Sequence, residues 1–252
     1  MSELKHIYRY PVKGLSAELL EETRLIEGSG IANDRRFAIA PGSTPASQNT
    51  GQWIAKNFFL MLARNPKLAQ LETVYDDETE TLIVSRRGKQ ISKGKLTDPI
   101  GRTVLEDFFA AFMGEEARGR PRIFEARDGH SLSDQSQPLI SLINLKSVRD
   151  IERVTGGYLD PIRFRGNIYF EGERPWMEAD LIGRSISIGS ARLKIVAATG
   201  RCVATHVNPE TTERDVNVLK ALQSGFRHTD CGVFAEVTET GTITIGDRIT
   251  VY

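Results

Sequence analysis

The sequence predicts a β-rich α+β or barrel architecture with a few helices, and three observations carry that prediction. Short apolar runs of strand length recur along the chain, bounded by Gly, Pro, Asn or Asp. Apolar residues at helical spacing occur in two places, between such runs. The 252 residues, 40% hydrophobic and 26% charged, supply a buried core, and no repeat or low-complexity tract interrupts the pattern.

The elements follow in order. Residues 4–10 read as a strand that runs into the turn Pro11-Val12-Lys13-Gly14. Residues 20–26 follow, then the loop Gly28-Ser29-Gly30, then a strand over 36–40. Residues 41–51 have the composition of an exposed loop. Two strand-like runs between 71 and 84 flank the polar tip Asp76-Asp77-Glu78-Thr79-Glu80. Val104, Leu105, Phe108, Phe109 and Phe112 predict a helix ending at Gly114. Residues 127–138 return to loop composition and read as a hinge between halves. Val148, Ile151 and Val154 predict a second helix, terminated by Gly156-Gly157 because glycine tolerates the left-handed C-cap. Residues 185–188 turn at Gly189-Ser190 into 193–196. Residues 233–237 and 242–245 predict a hairpin through Glu239-Thr240-Gly241, and Gly246-Asp247 turns the chain into 249–251.

Composition removes several function classes. Lys plus Arg equals Asp plus Glu at 33 each, so the chain has no bulk attraction for nucleic acid or membrane. Any anion site must be a local concentration of cations and backbone N–H groups. No apolar run reaches membrane-spanning length, and the N-terminus shows no basic-then-apolar leader, so a cytoplasmic location with reduced thiols is expected. The two cysteines, Cys202 and Cys231, form no Cys-x-x-Cys pair, which argues against a thiolate zinc cage or an iron–sulfur cluster.

The residues that could carry chemistry fall in four segments. Read as a strand, Arg163, Arg165 and Asn167 share one face, with Phe164, Ile168 and Phe170 on the other. Such a strip suits phosphate or an oxidised ring edge, although a solvated strand has the same alternation. In Gly200-Arg201-Cys202 an apolar run ends at a cysteine beside a cation, which favours thiolate. A free cysteine is more often a small buried hydrophobe, and Cys231, next to Gly232-Val233-Phe234, fits that description. Lys13 in its Pro-then-Gly turn and Arg35 before a strand each read alone as surface cations.

The four segments together are more specific. Tyr10-Pro11-Val12-Lys13-Gly14, a Gly-x-x-x-Asp-Arg-x-Phe over 30–37, Arg163-Phe164-Arg165-Gly166-Asn167-Ile168 and the Gly-Arg-Cys-x-x-Thr-x-Val-Asn-Pro of 200–209 resemble MOSC proteins. These are relatives of the C-terminal domain of molybdenum-cofactor sulfurase, and the branch resembled is that of the amidoxime-reducing component. The similarity spans nearly the whole chain and includes the ending Gly-Thr-Ile-Thr-Ile-Gly-Asp-Arg-Ile. It implies an N-terminal β-barrel-like module over residues 1–126 and a MOSC β-barrel domain over 127–252. It implies the molybdenum cofactor (Mo-molybdopterin), with Cys202 as the metal ligand. Lys13, Arg35 and Arg165 would hold the pterin and its phosphate, with Asn167 and Arg201 completing the polar lining; Gly14 and Arg163 are further cofactor-binding candidates, and Asn144 and Ser147 would lie in a further pocket-lining stretch that begins near Asp134. A soft thiolate suits a transition metal, and one cysteine leaves the remaining positions to the cofactor.

The sequence departs from the resembled pattern at three places. Gly14 stands where relatives often carry Ser or Cys, Gly166 where many have Pro, and Asn208 where Asp is frequent. The expected function is reduction of small N-hydroxylated or N-oxygenated compounds, with His206 as a candidate proton donor beside its plainer reading as a loop histidine. The chain ends at Tyr252 without a cysteine-rich tail, so electrons are expected from a separate donor of ferredoxin, flavodoxin or cytochrome type. Persulfide transfer on Cys202, or carriage of the cofactor without turnover, are the competing readings.

Overall fold

The computed structural model describes residues 2–127 and 130–252, so Asp128 and Gly129 of the expected hinge lie outside the described residues. The first half contains β1 (Ser2–Arg9), β2 (Glu18–Leu20), β3 (Glu22–Ile26), β4 (Gly30–Ile31) and β5 (Phe37–Ala40). It continues with β6 (Glu72–Asp76), β7 (Thr81–Arg86), β8 (Lys89–Lys95), helix α1 (Pro99–Met113) and β9 (Arg122–Glu125). The second half runs β10 (Ile140–Asn144), α2 (Leu145–Thr155), β11 (Ile168–Glu171), β12 (Ser185–Ile188) and β13 (Ala191–Gly200). Helix α3 (Val218–Phe226), β14 (Asp230–Glu239), β15 (Gly241–Thr244) and β16 (Arg248–Val251) complete it.

Strand order β11-β10-β14-β13-β12-β16-β1, with β1 pairing back onto β11, closes a barrel of seven strands, and β2 branches from β1. Closure leaves these strands no free edge between them. The chain's first strand thus seals the barrel built by its second half. Period-two alternation decides which side chains fill the interior. Along β13, Ala191, Leu193 and Ile195 are buried while Arg192 and Lys194 face out, and Val233, Ala235 and Val237 of β14 join them with Leu4 and Ile7 of β1. Only β10 and β11 run parallel among the barrel pairings, which requires the crossover that α2 provides.

A second core lies in the first half. The β6-β7-β8 sheet packs on α1, burying Leu82, Val84, Leu105, Phe109 and Met113. Asp98 caps α1 by accepting from the Gly101 N–H, Pro99 supplies the preset φ of the first turn, and Gly114 ends it as predicted. Helix α2 ends in the left-handed Gly156, also as predicted.

Two expectations are corrected. The segments now seen as β14 and β15 do not pair with each other. Both edges of β14 are taken by β10 and β13, so β15 pairs instead with β3 through Gly241↔Leu25 to Thr244↔Glu22. Residues 163–167 are not a strand. Asp160 accepts from the Ile162 N–H and Pro161 opens a 3-10 turn over Pro161–Phe164, Arg165 is left-handed at φ 49°, and the strand begins only at Ile168. Leu193→Ala in the fully buried barrel interior is expected to lower unfolding free energy by about 2–5 kcal/mol. Val74→Ala, at a position 60% exposed, is expected to change it by less than about 0.5 kcal/mol; urea unfolding of both variants checks the contrast.

Candidate functional site

The strand ends converge on one cavity of about 240 Å³. The turn after β1 brings Lys13 and Gly14, the segment before β5 brings Arg35, and the turn before β11 brings Arg163, Arg165 and Asn167. The end of β13 brings Thr199, Gly200, Arg201 and Cys202, and Lys56 and Asp134 approach from two further loops. Segments far apart in sequence therefore meet at the barrel's rim, and Cys202 lies there, half-buried and free, as the first residue beyond β13 to start a new turn.

The electrostatics of the cavity are lopsided although the chain is neutral. Among the described residues six basic side chains line it, Lys13, Lys56, Arg35, Arg163, Arg165 and Arg201, against one acid, Asp134. Asp134 accepts from Lys13 Nζ at 2.5 Å and Lys56 Nζ at 2.9 Å. Its own burial would raise its pKa, but the two ammonium groups outweigh that and hold it well below the usual carboxylate range. Burial lowers the pKa of Lys13 in spite of this partner, whereas Lys56, less enclosed, is raised by it against a smaller burial penalty. Two further carboxylates reach lining cations from outside. Asp34 holds Arg35 at 2.5 Å, and Asp215 takes Arg163 in a fork with both contacts at 2.8 Å.

Arg165 and Arg201 have no such compensation. No Asp or Glu among the described residues comes within 4.0 Å of either guanidinium. Arg201 directs three of its five N–H donors to the carbonyls of Phe164 and Cys231, which carry no formal charge. Arg165 lies 4.2 Å from the centroid of the Tyr10 ring, as does Arg35. Burial, reinforced by Arg35, holds its pKa below the ordinary arginine value, the signature of a cation short of counter-charge. Among the described residues, six lining cations less the three carboxylates leave a formal excess of three positive charges. The Thr199 hydroxyl oxygen adds a buried polar atom with no hydrogen-bond partner among the described residues. Such a cavity is built to receive an anion.

The other expected residues lie as follows. Asn167 lines the cavity, but its side chain is committed to the wall, accepting from Ser141 N–H and Oγ and donating to the Tyr8 carbonyl. Asn144 and Ser147 do not line it; both donate to the buried Glu178 carboxylate, and Asn144 also caps α2. His206 turns toward α3, its Nε2 accepting from Leu219 N–H at 3.4 Å, and burial followed by Arg214 and Arg163 lowers its pKa. Cys231 is 1% exposed, and burial pushes its thiol up to about 12, in keeping with a packing role. Among the described residues no cluster of three or more His, Cys, Asp or Glu could hold a metal, so a metal at Cys202 would have one protein ligand.

The three departures have local causes. Gly14 sits at φ +83°, and a Cβ there would come 3.2 Å from the Leu60 carbonyl. Gly166 donates its N–H to Tyr169 Oη at 2.9 Å, which proline cannot do, and a Cβ would meet Ile143 at 2.4 Å. Asn208 donates to Asp215 at 2.6 Å, where an aspartate would repel.

No feature of the sequence marks the side chains of Lys56, Thr199 and Asp215 as part of this site. Lys56 and Asp215 belong to no motif, and Tyr10, though inside one, gives no sign in sequence that two arginines will share its ring.

Two outcomes are expected here. Iodoacetamide at mildly alkaline pH should modify Cys202 and spare Cys231 in folded protein, with both modified in urea, as read by peptide mass spectrometry. The Arg163 hydrogen bonds hold Asp215 at about 2, so its native contribution to stability is present at neutral pH and lost as pH falls through about 2. Asn208→Asp should reverse the local sign. The added carboxylate raises the pair's folded pKa, so the variant is destabilised by about 1–2 kcal/mol at pH 7 and recovers on acidification toward pH 4, measured by thermal unfolding at both values.

Comparison with known proteins gives a consistent assignment. The MOSC N-terminal beta barrel domain model matches residues 1–120 and the MOSC domain model matches residues 128–250. No curated protein matches. Among solved structures, the YUAD protein from Bacillus subtilis is similar over 100% of this chain and 96% of its own, at 12% identity and TM-score 0.49. YiiM from Geobacillus stearothermophilus is similar over 45% of this chain and 53% of its own, at 19% identity and TM-score 0.34. The two domain matches together span nearly all of the chain, which belongs to the MOSC family and carries both its N-terminal β-barrel domain and its MOSC domain.

Proposed function

We propose that the chain is a molybdenum-cofactor-dependent oxidoreductase that reduces small N-hydroxylated or N-oxygenated compounds with electrons from a separate donor protein. The single observation that carries this reading is a half-buried thiol in one cavity with two arginines that have no carboxylate partner among the described residues. The residues present fit the group. A phosphate-bearing cofactor supplies the missing negative charge, the Thr199 hydroxyl gains a partner, and a thiolate is a suitable soft ligand for its metal.

In this reading Arg165 and Arg201 hold the anionic part of the cofactor, with Lys13 and Arg35 behind them, and Cys202 ligates the metal. The chemistry such a group supplies is two-electron removal of oxygen from nitrogen. The net conversion takes up two electrons and two protons and releases water. Asp134 keeps Lys13 and Lys56 aimed into the cavity, and Asp215 and Asp34 fix Arg163 and Arg35, so the positive field is preorganised before anything binds. In this reading electrons come from a separate partner of ferredoxin, flavodoxin or cytochrome type.

Elemental analysis tests the proposal. Protein from a host that makes the cofactor should contain near-stoichiometric molybdenum, Cys202→Ala should lose at least nine-tenths of it, and Arg165→Ala should bind markedly less. Labile sulfur on Cys202 without molybdenum would instead establish persulfide handling. Bound molybdenum without N-hydroxyl reduction under an artificial reductant would establish cofactor carriage.

A further inference from the structure

The start of α2 and the 3-10 turn Met177–Leu181 enclose a carboxylate that the proposed reaction does not use. Glu178 is 2% exposed. Its two oxygens accept from Ser147 Oγ at 2.6 Å and from Asn144 Nδ2 at 2.9 Å. No Lys, Arg or His among the described residues comes within 4.0 Å of it. Burial raises its pKa in spite of these two donors and of the Gly232 N–H, which also serves the carboxylate. A buried charge without an ion pair is costly to the fold.

Gly232 connects this carboxylate to the cation-rich cavity. Its N–H and the Cys231 carbonyl belong to one peptide unit, and Arg201 donates to that carbonyl through both Nε and Nη2. Arg201 lines the cavity beside Cys202 and has no carboxylate within 4.0 Å among the described residues. A single peptide group therefore stands between a buried anion and a buried cation, its N–H toward the carboxylate and its C=O toward the guanidinium. In a trans peptide these two bonds point in opposite directions, so both charges align the same dipole. Gly232 is left-handed at φ +83°, and a side chain there would run into the Leu142 carbonyl, so glycine lets the strand present its peptide in this way. The remaining Arg201 contact, to the Phe164 carbonyl, fixes the other side of the fork.

We infer that Glu178 is a positioning residue for the anion site: by holding the Cys231–Gly232 peptide, it sets the direction in which Arg201 presents its free donors to the cavity. The inference rests on the first cavity being that anion site. Asn144 and Ser147 then serve the site without lining it, because they hold Glu178. The sign of the effect separates positioning from simple charge. As a negative charge near the cavity, Glu178 would oppose an anion, and its removal would tighten binding. As the anchor of Arg201 it favours the anion, and its removal weakens binding.

Glu178→Gln keeps the size of the side chain but sets an amide NH2 against one of the donors that now meet an oxygen. Inorganic pyrophosphate is titrated into the metal-free full chain by calorimetry, and the arginine Nε–H resonances are followed by NMR, Arg201 being identified by its loss in Arg201→Gln. Glu178→Gln should bind pyrophosphate roughly tenfold more weakly than wild type, the worth of one charge-assisted hydrogen bond. It should also shift or broaden the Arg201 resonance while that of Arg163 stays in place. In an Arg201→Gln background the same substitution should change affinity by less than about twofold, because the two residues act as a unit. A merely structural Glu178 would lower the unfolding temperature and leave the affinity and the Arg201 resonance unchanged. That result, tighter binding, or equal losses in the two backgrounds would overturn the inference. Should Glu178→Gln fail to fold, Ser147→Ala removes one donor from the carboxylate and is read in the same two ways, with a roughly threefold loss expected. If wild type binds no pyrophosphate, the anion-site reading fails on its own account, and the Arg201 resonance decides whether Glu178 positions that side chain.

Discussion

Two guanidiniums share the ring of Tyr10, and the site depends on that arrangement. Arg35 and Arg165 each lie 4.2 Å from its centroid, although they come from segments 130 residues apart. Tyr10 can hold them because it is itself immobile. It is fully buried, its hydroxyl donates to the Gly166 carbonyl, and burial pushes its phenol up to about 12, so it stays neutral. Both arginines are left-handed, at φ 51° and 49°, a conformation that costs a non-glycine residue free energy and that the surrounding contacts maintain. Arg35 Nη2 donates to the Arg165 carbonyl at 2.9 Å, so the cations are tied through backbone while their charges repel. An anion between them relieves that repulsion.

This arrangement is also why the first strand belongs to the barrel. Strand β1 pairs antiparallel with β11, so Tyr10, just beyond the end of β1, and Arg165 to Asn167, just before the start of β11, come together at the same end of that pairing. Asn167 fastens the junction by bonding both Ser141 and the Tyr8 carbonyl. Closing the barrel and assembling the cation cluster are the same structural event. Uncompensated buried charge is costly to the empty protein, so whatever anion fills the cavity stabilises the fold by mass action.

Much of this was legible in the sequence, for identifiable reasons. Strand periodicity and glycine punctuation located most elements, because a barrel with one wet face forces strict alternation, as along β13. Helix ends at Gly114 and Gly156 were legible because a terminating glycine acts locally. Partner choice was not. The segments of β14 and β15 look like a hairpin until closure of the barrel uses both edges of β14, a fact no local window contains. The apparent strand at 163–167 failed for the opposite reason: Asp160-Pro161 imposes a turn that overrides alternation. For the site, Lys13, Arg35, Arg165, Arg201 and Cys202 were brought together by ordered motifs, while Lys56, Thr199 and Asp215 join only through tertiary proximity. Asn144 and Ser147 lie instead around the buried Glu178.

The central claim is that the cavity beside Cys202 carries an uncompensated positive charge centred on Arg165. Thermal unfolding of the metal-free protein over a titration of inorganic pyrophosphate tests it most directly. The account predicts a saturable rise in the unfolding temperature for wild type that is largely lost in Arg165→Gln. An equal rise in both proteins would contradict it, because the anion would then be held by cations already paired elsewhere on the surface.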